Sequence, residues 1–212
     1  MINESAVNRL LVEGSDDKHS VIHLMRRHSV DWESGDKCLP FVQDCGGFEN
    51  LLSSVSVSAK SYQHLGILVD ANMNIANRWG LIKNKLEASG VSLLTSPDPS
   101  GTISQGIYPD WKVGIWIMPD NKRDGKLENF LSTLVPVNDQ CWDYAGKAST
   151  HAKQLGAKFP DKECLKAKIH TWLAWQETPG LPFGTAMTAT YFRHDSPEAL
   201  KFTEWFRRLF LL

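Results

Sequence analysis

Short apolar runs that alternate with segments of helical periodicity constrain the fold of this chain more than any other feature of its sequence. The runs lie at residues 10–12, 39–42, 65–69 and 113–118. Strands that are apolar along their whole length are usually buried on both faces, as in a parallel sheet with helices on each side. The alternation therefore predicts an α/β fold in which helices flank a parallel sheet.

The segments between the runs carry helix signals. Ser15 is a good N-cap residue, and Asp16 and Asp17 favour the positive end of a helix dipole, so a helix is expected to begin there. After the third run, apolar residues recur at intervals of four, three and four positions, at Ile75, Trp79, Ile82 and Leu86. Further helices are expected after residues 47 and 126. The Pro-, Ser- and Gly-rich stretch 95–110 predicts a loop or an irregular hairpin.

Helical patterns dominate the C-terminal third of the chain. Apolar side chains share one helix face near residues 165–173 and another near 200–210, with a Pro- and Gly-rich loop at 178–185 between them. The sequence contains no linker long enough to require a second domain. We therefore expect an α/β core at 1–135 and a mainly helical extension at 136–212 that packs on the same core, with Trp79, Trp172 and Trp205 buried.

Charge and cysteine content narrow the range of roles. The formal net charge is −1, so a nucleic-acid-binding surface would have to be local or completed by a partner. The cysteines at positions 38, 45, 141 and 164 form no CxxC pair, and reduced thiols are expected rather than zinc ligands or disulfides. No apolar run approaches about 18 residues, and the segment 1–13, with Asn3 and Glu4, lacks signal-peptide features. A cytoplasmic protein without membrane contact is therefore expected.

Acidic residues follow three of the apolar runs. Glu13, Asp70 and Asp120 stand at or just after the ends of these runs, and Asp17 and Glu128 come shortly downstream. The carboxyl ends of parallel strands meet at one edge of a sheet, so these side chains are expected to converge there. Taken singly, each acid is equally well explained as a helix cap or a solvated group. Together, carboxylates that repel one another need a cation or a shared proton, and hard oxygen ligands favour Mg²⁺ or Mn²⁺.

The motifs around these acids resemble the Toprim domain, the metal-binding module of topoisomerases, primases, recombination proteins and OLD-family nucleases. The apolar run that ends in Glu13-Gly14 is similar to the first Toprim motif, and the run that ends in Asp70-Ala71-Asn72 is similar to the second, usually Asp-x-Asp. Residues 118–129 resemble a small bacterial Toprim-related family close to the OLD nucleases. The resemblance covers residues 7–135 well and the C-terminal third loosely. It implies a Toprim/Rossmann-like parallel sheet flanked by helices, with a helical C-terminal appendage.

The resemblance also implies roles for individual residues. Glu13 would act as general acid or base, and Asp70 would hold Mg²⁺ or Mn²⁺, with Asn72 as a ligand through its side-chain oxygen. Asp17, Asp120 and Glu128 are candidates for a second metal position. Because Asn72 replaces the usual Asp, weaker metal binding, a single metal or a decayed site would follow. Lys158 and Lys166 are candidates for contact with a substrate phosphate.

These expectations favour a metal-dependent nuclease that hydrolyses phosphodiester bonds of DNA or RNA, with antiphage defence as one setting that the OLD-like resemblance suggests. The chain is too short for topoisomerase gate domains, has no assignable nucleophilic tyrosine and lacks a Cys/His cluster for a primase zinc module. It also lacks a P-loop, so any ATPase partner would be a separate protein. Two alternatives stay open: an inactive Toprim-like binding or regulatory module, and a nucleotide phosphohydrolase.

Overall fold

A five-stranded sheet forms the centre of the protein. The computed structural model describes residues 6–212, so Asn3 and Glu4 lie outside the described residues. The strands are β1 (Asn8–Val12), β2 (Phe41–Asp44), β3 (His64–Asp70), β4 (Thr102–Gln105) and β5 (Lys112–Met118), in the order β2-β1-β3-β5-β4. Strands β2, β1, β3 and β5 are parallel, and β4 pairs with β5 in the antiparallel sense. The predicted α/β fold is confirmed, with one antiparallel edge strand added to the expected parallel sheet.

In the described part of the chain, eight α-helices follow or flank the strands. They are α1 (Ser15–Arg27), α2 (Phe48–Ala59), α3 (Ile75–Glu87), α4 (Leu127–Thr133), α5 (Gln140–Gln154), α6 (Cys164–Leu173), α7 (Phe183–Thr188) and α8 (Pro197–Phe210). The stretch 178–185, which was expected to be a loop, contains the start of α7: Pro182 is the N-cap residue, and Phe183, Gly184, Ala186 and Met187 are buried. Proline is compatible with a helix start, so the Pro- and Gly-rich pattern did not exclude a helix here. None of the helices within residues 6–212 combines the length and the hydropathy that a membrane span requires.

Successive side chains of each strand point to opposite faces of the sheet, and this explains why the apolar runs are continuous. Leu11, Ile67 and Ile115 belong to the core on one face of the sheet, which α2 and α3 cover. Their chain neighbours Leu10 and Leu68 belong to the core on the other face, where side chains from α1, α4, α6, α7 and α8 pack. Because successive side chains point to opposite faces, a strand covered on both sides must be apolar throughout. The three tryptophans expected in the core, Trp79, Trp172 and Trp205, are buried.

Two glycines on neighbouring strands allow α8 to lie close to the sheet. Gly66 of β3 and Gly114 of β5 are paired in register. A Cβ atom on Gly114 would lie 2.5 Å from Leu209 Cδ2, and one on Gly66 would lie 2.6 Å from Leu10 Cδ1 and 3.1 Å from the Phe210 ring. Leu209 and Phe210 are fully buried. The C-terminal helices are therefore part of the main core.

We predict that Gly114→Ala lowers the free energy of unfolding by about 1–3 kcal/mol, because an added methyl overpacks the contact between β5 and α8. The matched control is Gly80→Ala in the interior of α3, where nothing lies within 4 Å of the added Cβ. That change should stabilise the protein by about 0.5–1 kcal/mol, since alanine favours a helix over glycine. Urea unfolding measures both. A Gly114→Ala protein as stable as the wild type would contradict this packing.

Candidate active site

An open cleft lies at the carboxyl ends of the parallel strands. From β1 the chain passes to β2 on one side of β1. Strand β3 lies on the opposite side of β1, and from β3 the chain passes in that opposite direction to β5. This reversal of direction creates a crevice between β1 and β3, which is where ligands bind in open α/β sheets. The cleft has a volume of about 550 Å³. Its lining is rich in acids and glycines, with two lysines: Glu13, Gly14, Ser15, Asp16, Asp17, Asp44, Gly46, Gly47, Asp70, Lys126, Leu127, Glu128, Glu163 and Lys166.

Glu13 connects the ends of the two central strands. It follows β1 directly, and its Oε1 accepts a hydrogen bond of 2.9 Å from the backbone N–H of Asp70, the last residue of β3. Burial raises the pKa of Glu13 above its ordinary value, and the Asp70 amide and the charge of Arg78 oppose that rise only in part. Glu13 is therefore a carboxyl group that can exchange a proton closer to neutral pH than a solvated glutamate.

Asp70 and Asp17 are held by backbone amides in the same way. Asp70 Oδ1 accepts a hydrogen bond of 2.9 Å from the amide of Leu127, the first residue of α4. Asp17 Oδ2 accepts one of 3.0 Å from the amide of Gly14, which precedes α1. Both side chains sit near the N-terminal end of a helix, where the helix dipole favours negative charge.

The pKa values of these two acids are strongly raised. Burial, followed by the charges of Asp17 and Glu13, raises the pKa of Asp70 to about 8. Burial, followed by the charge of Glu13, raises the pKa of Asp17 to about 7. Carboxyl groups that stand close together away from water cannot all ionise, so at neutral pH protons occupy positions in this cluster that a cation could take.

Glu128 lies deeper, with 5% of its surface exposed, and two lysines approach it. Lys166 Nζ is 3.4 Å from Glu128 Oε1 and 3.1 Å from Asp16 Oδ2. Lys126 Nζ is 3.9 Å from Glu128 Oε2 and 3.0 Å from Glu163. Burial disfavours the charged form of Lys166, but the hydrogen bond and charge of Asp16, with help from Glu128, raise its pKa above the ordinary value. The cleft thus contains permanent positive charge beside the carboxyl cluster.

A glycine turn closes the side of the cleft next to β2. Gly46 and Gly47 have φ angles of 68° and 118°, a region that glycine enters without strain. The Gly47 amide donates a hydrogen bond of 2.7 Å to the carbonyl of Glu13. Asp44 Oδ1 accepts a bond of 2.8 Å from the Gly46 amide. This turn ties α2 to the end of β1 and holds the backbone of Glu13 in place.

The structure brings together five of the residues that the sequence analysis selected: Glu13, Asp17, Asp70, Glu128 and Lys166 all line the cleft. It keeps Asp120 and Asn72 outside that lining, together with Lys158, which is exposed.

Asp120 does not line the cleft and lies in a turn after β5, where the Asn121 amide donates a hydrogen bond to the carbonyl of Ile117. The Asp120 carboxylate accepts hydrogen bonds from the amides of Lys122 and Arg123 and from Arg123 Nε at 2.7 Å. Burial works against ionisation of Asp120, but these bonds outweigh it and lower its pKa. This acid stabilises a turn and is not a member of the carboxyl cluster.

The backbone conformation at position 72 explains why an asparagine stands there. Its φ angle is 54°, a left-handed conformation that asparagine adopts more readily than most residues. Its amide and carbonyl form a pair of 2.7 Å hydrogen bonds with Gly125, which joins the end of β3 to the loop before α4. The side chain is exposed, so the missing second acid of the Asp-x-Asp pattern falls at a position that does not line the cleft.

Some residues around the cleft carried no clear signal in the sequence. Lys126 and Glu163 form an ion pair across 37 positions, and Glu163 lies in a polar segment with no recognisable motif. Arg78 of α3 stacks over the Phe48 ring at 3.6 Å and acts electrostatically on Glu13. Of these three residues, Lys126 alone lies within the stretch 118–129 that resembles the Toprim-related family.

The model of a family described as "Protein of unknown function (DUF3226)" matches residues 7–211. The chain belongs to this family. The match spans both the sheet and the C-terminal helices. Lys166 of α6 and Glu163, the residue before α6, line the cleft and therefore lie within the matched region. No curated protein and no solved structure matches the chain.

We predict that the metal-free protein loses stability as the pH rises from about 5 to about 8. The folded-state pKa of Asp70, about 8, exceeds the value of about 3.9 for an unfolded chain. Its contribution to stability is therefore complete below the unfolded pKa and is lost as the pH rises through the folded pKa. Asp70→Asn removes this titration and should gain on the order of 2 kcal/mol over the wild type at the alkaline end.

Thermal unfolding in EDTA across this pH range measures the effect. The exposed Asp195 provides the control, since Asp195→Asn should leave the slope of the curve unchanged. Parallel curves for the wild type and Asp70→Asn would show that Asp70 ionises normally in the folded protein.

Proposed function

We propose that the cleft binds Mg²⁺ or Mn²⁺ and hydrolyses phosphodiester bonds of nucleic acid. The observation that carries the proposal is the convergence of Glu13, Asp17 and Asp70, with raised pKa values, beside two lysines in an open cleft. A cluster of perturbed carboxyl groups in a cleft is a common mark of a catalytic site. The resemblance to Toprim motifs adds support, because it assigns chemistry to the acids that end β1 and β3.

The donor set fits a hard divalent cation. The cluster offers carboxylate oxygens, which are the ligands of Mg²⁺ and Mn²⁺. Within residues 6–212, no three His, Cys, Asp or Glu side chains are already grouped to hold a metal ion. Glu13, Asp17 and Asp70 each use one oxygen for a backbone amide, so a bound ion would contact the remaining oxygens after rotation of the side chains.

Asp17 and Asp70 are the residues that would hold the ion. Asp17 then supplies the second carboxylate that the Asp-x-Asp pattern lacks at Asn72, so the asparagine does not by itself weaken the site. Glu128, buried between Lys126 and Lys166, could become a further ligand of the ion if one of these lysines moved to a substrate phosphate. A bound ion would neutralise phosphate charge and orient the attacking water.

Glu13 is the candidate general acid or base. Its raised pKa suits a group that takes a proton from the water attacking phosphorus, or gives one to the oxygen that leaves. Its hydrogen bond to the Asp70 amide keeps it beside the metal-holding acid. Lys126 and Lys166 provide positive charge that attracts a phosphate backbone and balances the acids when no substrate is bound.

The test is cleavage of supercoiled plasmid, single-stranded DNA and tRNA by the purified protein in Mg²⁺ or Mn²⁺. Glu13→Gln should reduce metal-dependent cleavage by about 10²–10⁴-fold, the usual loss on removal of a general acid or base. Asp120→Asn is the matched control, because Asp120 stabilises a turn outside the cleft, and it should keep wild-type activity.

Cleavage that Glu13→Gln leaves intact would contradict the proposed role of the cleft. Hydrolysis of mononucleotides without cleavage of polymers would favour a nucleotide phosphohydrolase. Metal binding without any turnover would favour a binding module, or a nuclease that acts only with a separate ATPase partner.

A further inference from the structure

A second pocket, of about 200 Å³, opens beside the cleft between α1 and α7. Asp16 lines both spaces, so they adjoin at this residue. From α1 the pocket receives Asp16, His19 and His23, which lie on one face of the helix at spacings of three and four positions. From the opposite side it receives Phe183 and its neighbours at 182, 184 and 185.

The absence of a side chain on Gly184 lets α7 approach α1 closely enough to form this pocket. A Cβ atom there would lie 2.7 Å from His23 Cδ2 and 2.9 Å from the carbonyl of His19. Phe183 is buried, and its ring stacks on the His170 ring, with 5.0 Å between centroids and 24° between planes. This buried aromatic pair holds one wall of the pocket in place.

The chemistry of the lining favours a flat, uncharged ligand. His23 Nδ1 is hydrogen-bonded to Thr188 Oγ1 at 2.6 Å, which leaves Nε2 for another partner. Burial, followed by the charge of Arg26, lowers the pKa of His23, so the ring is neutral at pH 7. Among the described residues that line the pocket, Asp16 is the only acid, and none is a lysine or an arginine. A second phosphate would meet a negative charge here, whereas a heterocycle could stack on the exposed His19 ring and exchange hydrogen bonds with imidazole nitrogens.

Lys166 lies at the boundary of the two spaces. Its Nζ donates a hydrogen bond to Asp16, lies 3.4 Å from Glu128 Oε1 in the cleft, and lies 5.7 Å from the centroid of the Phe183 ring. One cation therefore borders both the carboxyl cluster and the aromatic wall. A nucleotide would suit this arrangement, with its phosphate toward Lys166 and its base beyond Asp16.

We infer that this pocket receives a nucleobase of the nucleic acid whose phosphodiester occupies the cleft, and that His19 and His23 help to select it. The inference rests on the proposed function and specifies its substrate. A base inside a duplex cannot enter such a pocket unless it is unstacked and turned outward. The preferred substrate is therefore single-stranded nucleic acid, or a duplex with an unpaired nucleotide beside the scissile bond.

The test measures binding of a short single-stranded oligonucleotide by fluorescence anisotropy, using intact strands and strands with one abasic site moved along the sequence. His19→Ala removes a wall of the pocket, and Thr185→Trp fills it from an exposed position. Each should weaken binding of the intact strand by about tenfold, the scale of one lost base stack. His151→Ala and Thr178→Trp, exposed residues outside the pocket, are the matched controls and should bind like the wild type.

The sharpest result comes from combining an abasic strand with the Thr185→Trp protein in a double-mutant cycle. An abasic site at one particular position should weaken wild-type binding by about the same factor as Thr185→Trp, and the two losses should not add, since both remove one contact. Wild-type protein that binds every abasic strand as tightly as the intact strand would overturn the inference. So would pocket variants that match their controls.

Cleavage of the same strands, read in parallel, separates the two proposals. If Glu13→Gln abolishes cleavage while the pocket variants bind and cleave like the controls, the nuclease proposal stands and the nucleobase pocket is wrong. If no protein cleaves but the pocket variants lose base-dependent binding, the pocket stands and the proposal that this chain alone hydrolyses nucleic acid fails.

Discussion

Three carboxyl groups that would repel one another are held together by backbone amides, and the rest of the site depends on this constraint. The amides of Asp70, Leu127 and Gly14 each donate to one of these groups, and each amide belongs to the start of a helix or the end of a strand. The sheet topology thus brings the acids together, and burial, followed for Asp17 and Asp70 by repulsion from neighbouring carboxylates, raises their pKa values. A cation or protons must complete the cluster.

The C-terminal helices contribute to the site as well as to the core. Helix α8 lies on the sheet over Gly66 and Gly114, while Lys166 of α6 and the preceding Glu163 form one side of the cleft. Helix α7 packs against α1 and encloses the neighbouring aromatic pocket. Without these helices the sheet would lose much of its cover on one face, and the cleft and the second pocket would each lose one side. The sheet and the C-terminal helices therefore form the site together.

Sequence patterns predicted the α/β fold and four of the clustered acids because those signals are local. Strand ends and helix starts can be read from neighbouring residues, and parallel topology brings them to one edge. Asp120 fitted the same pattern, yet a turn two residues beyond β5 directs its carboxylate to Arg123. Asn72 was interpreted as a weakened ligand, whereas its left-handed backbone and its bonds to Gly125 explain it. Contacts such as Lys126 with Glu163 join distant segments and leave no trace in local sequence.

Calorimetric titration of Mn²⁺ into the protein at pH 7, repeated in buffers that differ in ionisation enthalpy, tests the central claim that a cation replaces protons in the cluster. Binding is expected to release roughly one to two protons per ion, because Asp70, with a pKa of about 8, and Asp17, with a pKa of about 7, must both ionise to bind metal. Asp70→Asn should weaken binding and reduce this release. Binding heats that do not depend on the buffer, or no binding at millimolar Mn²⁺, would contradict the account.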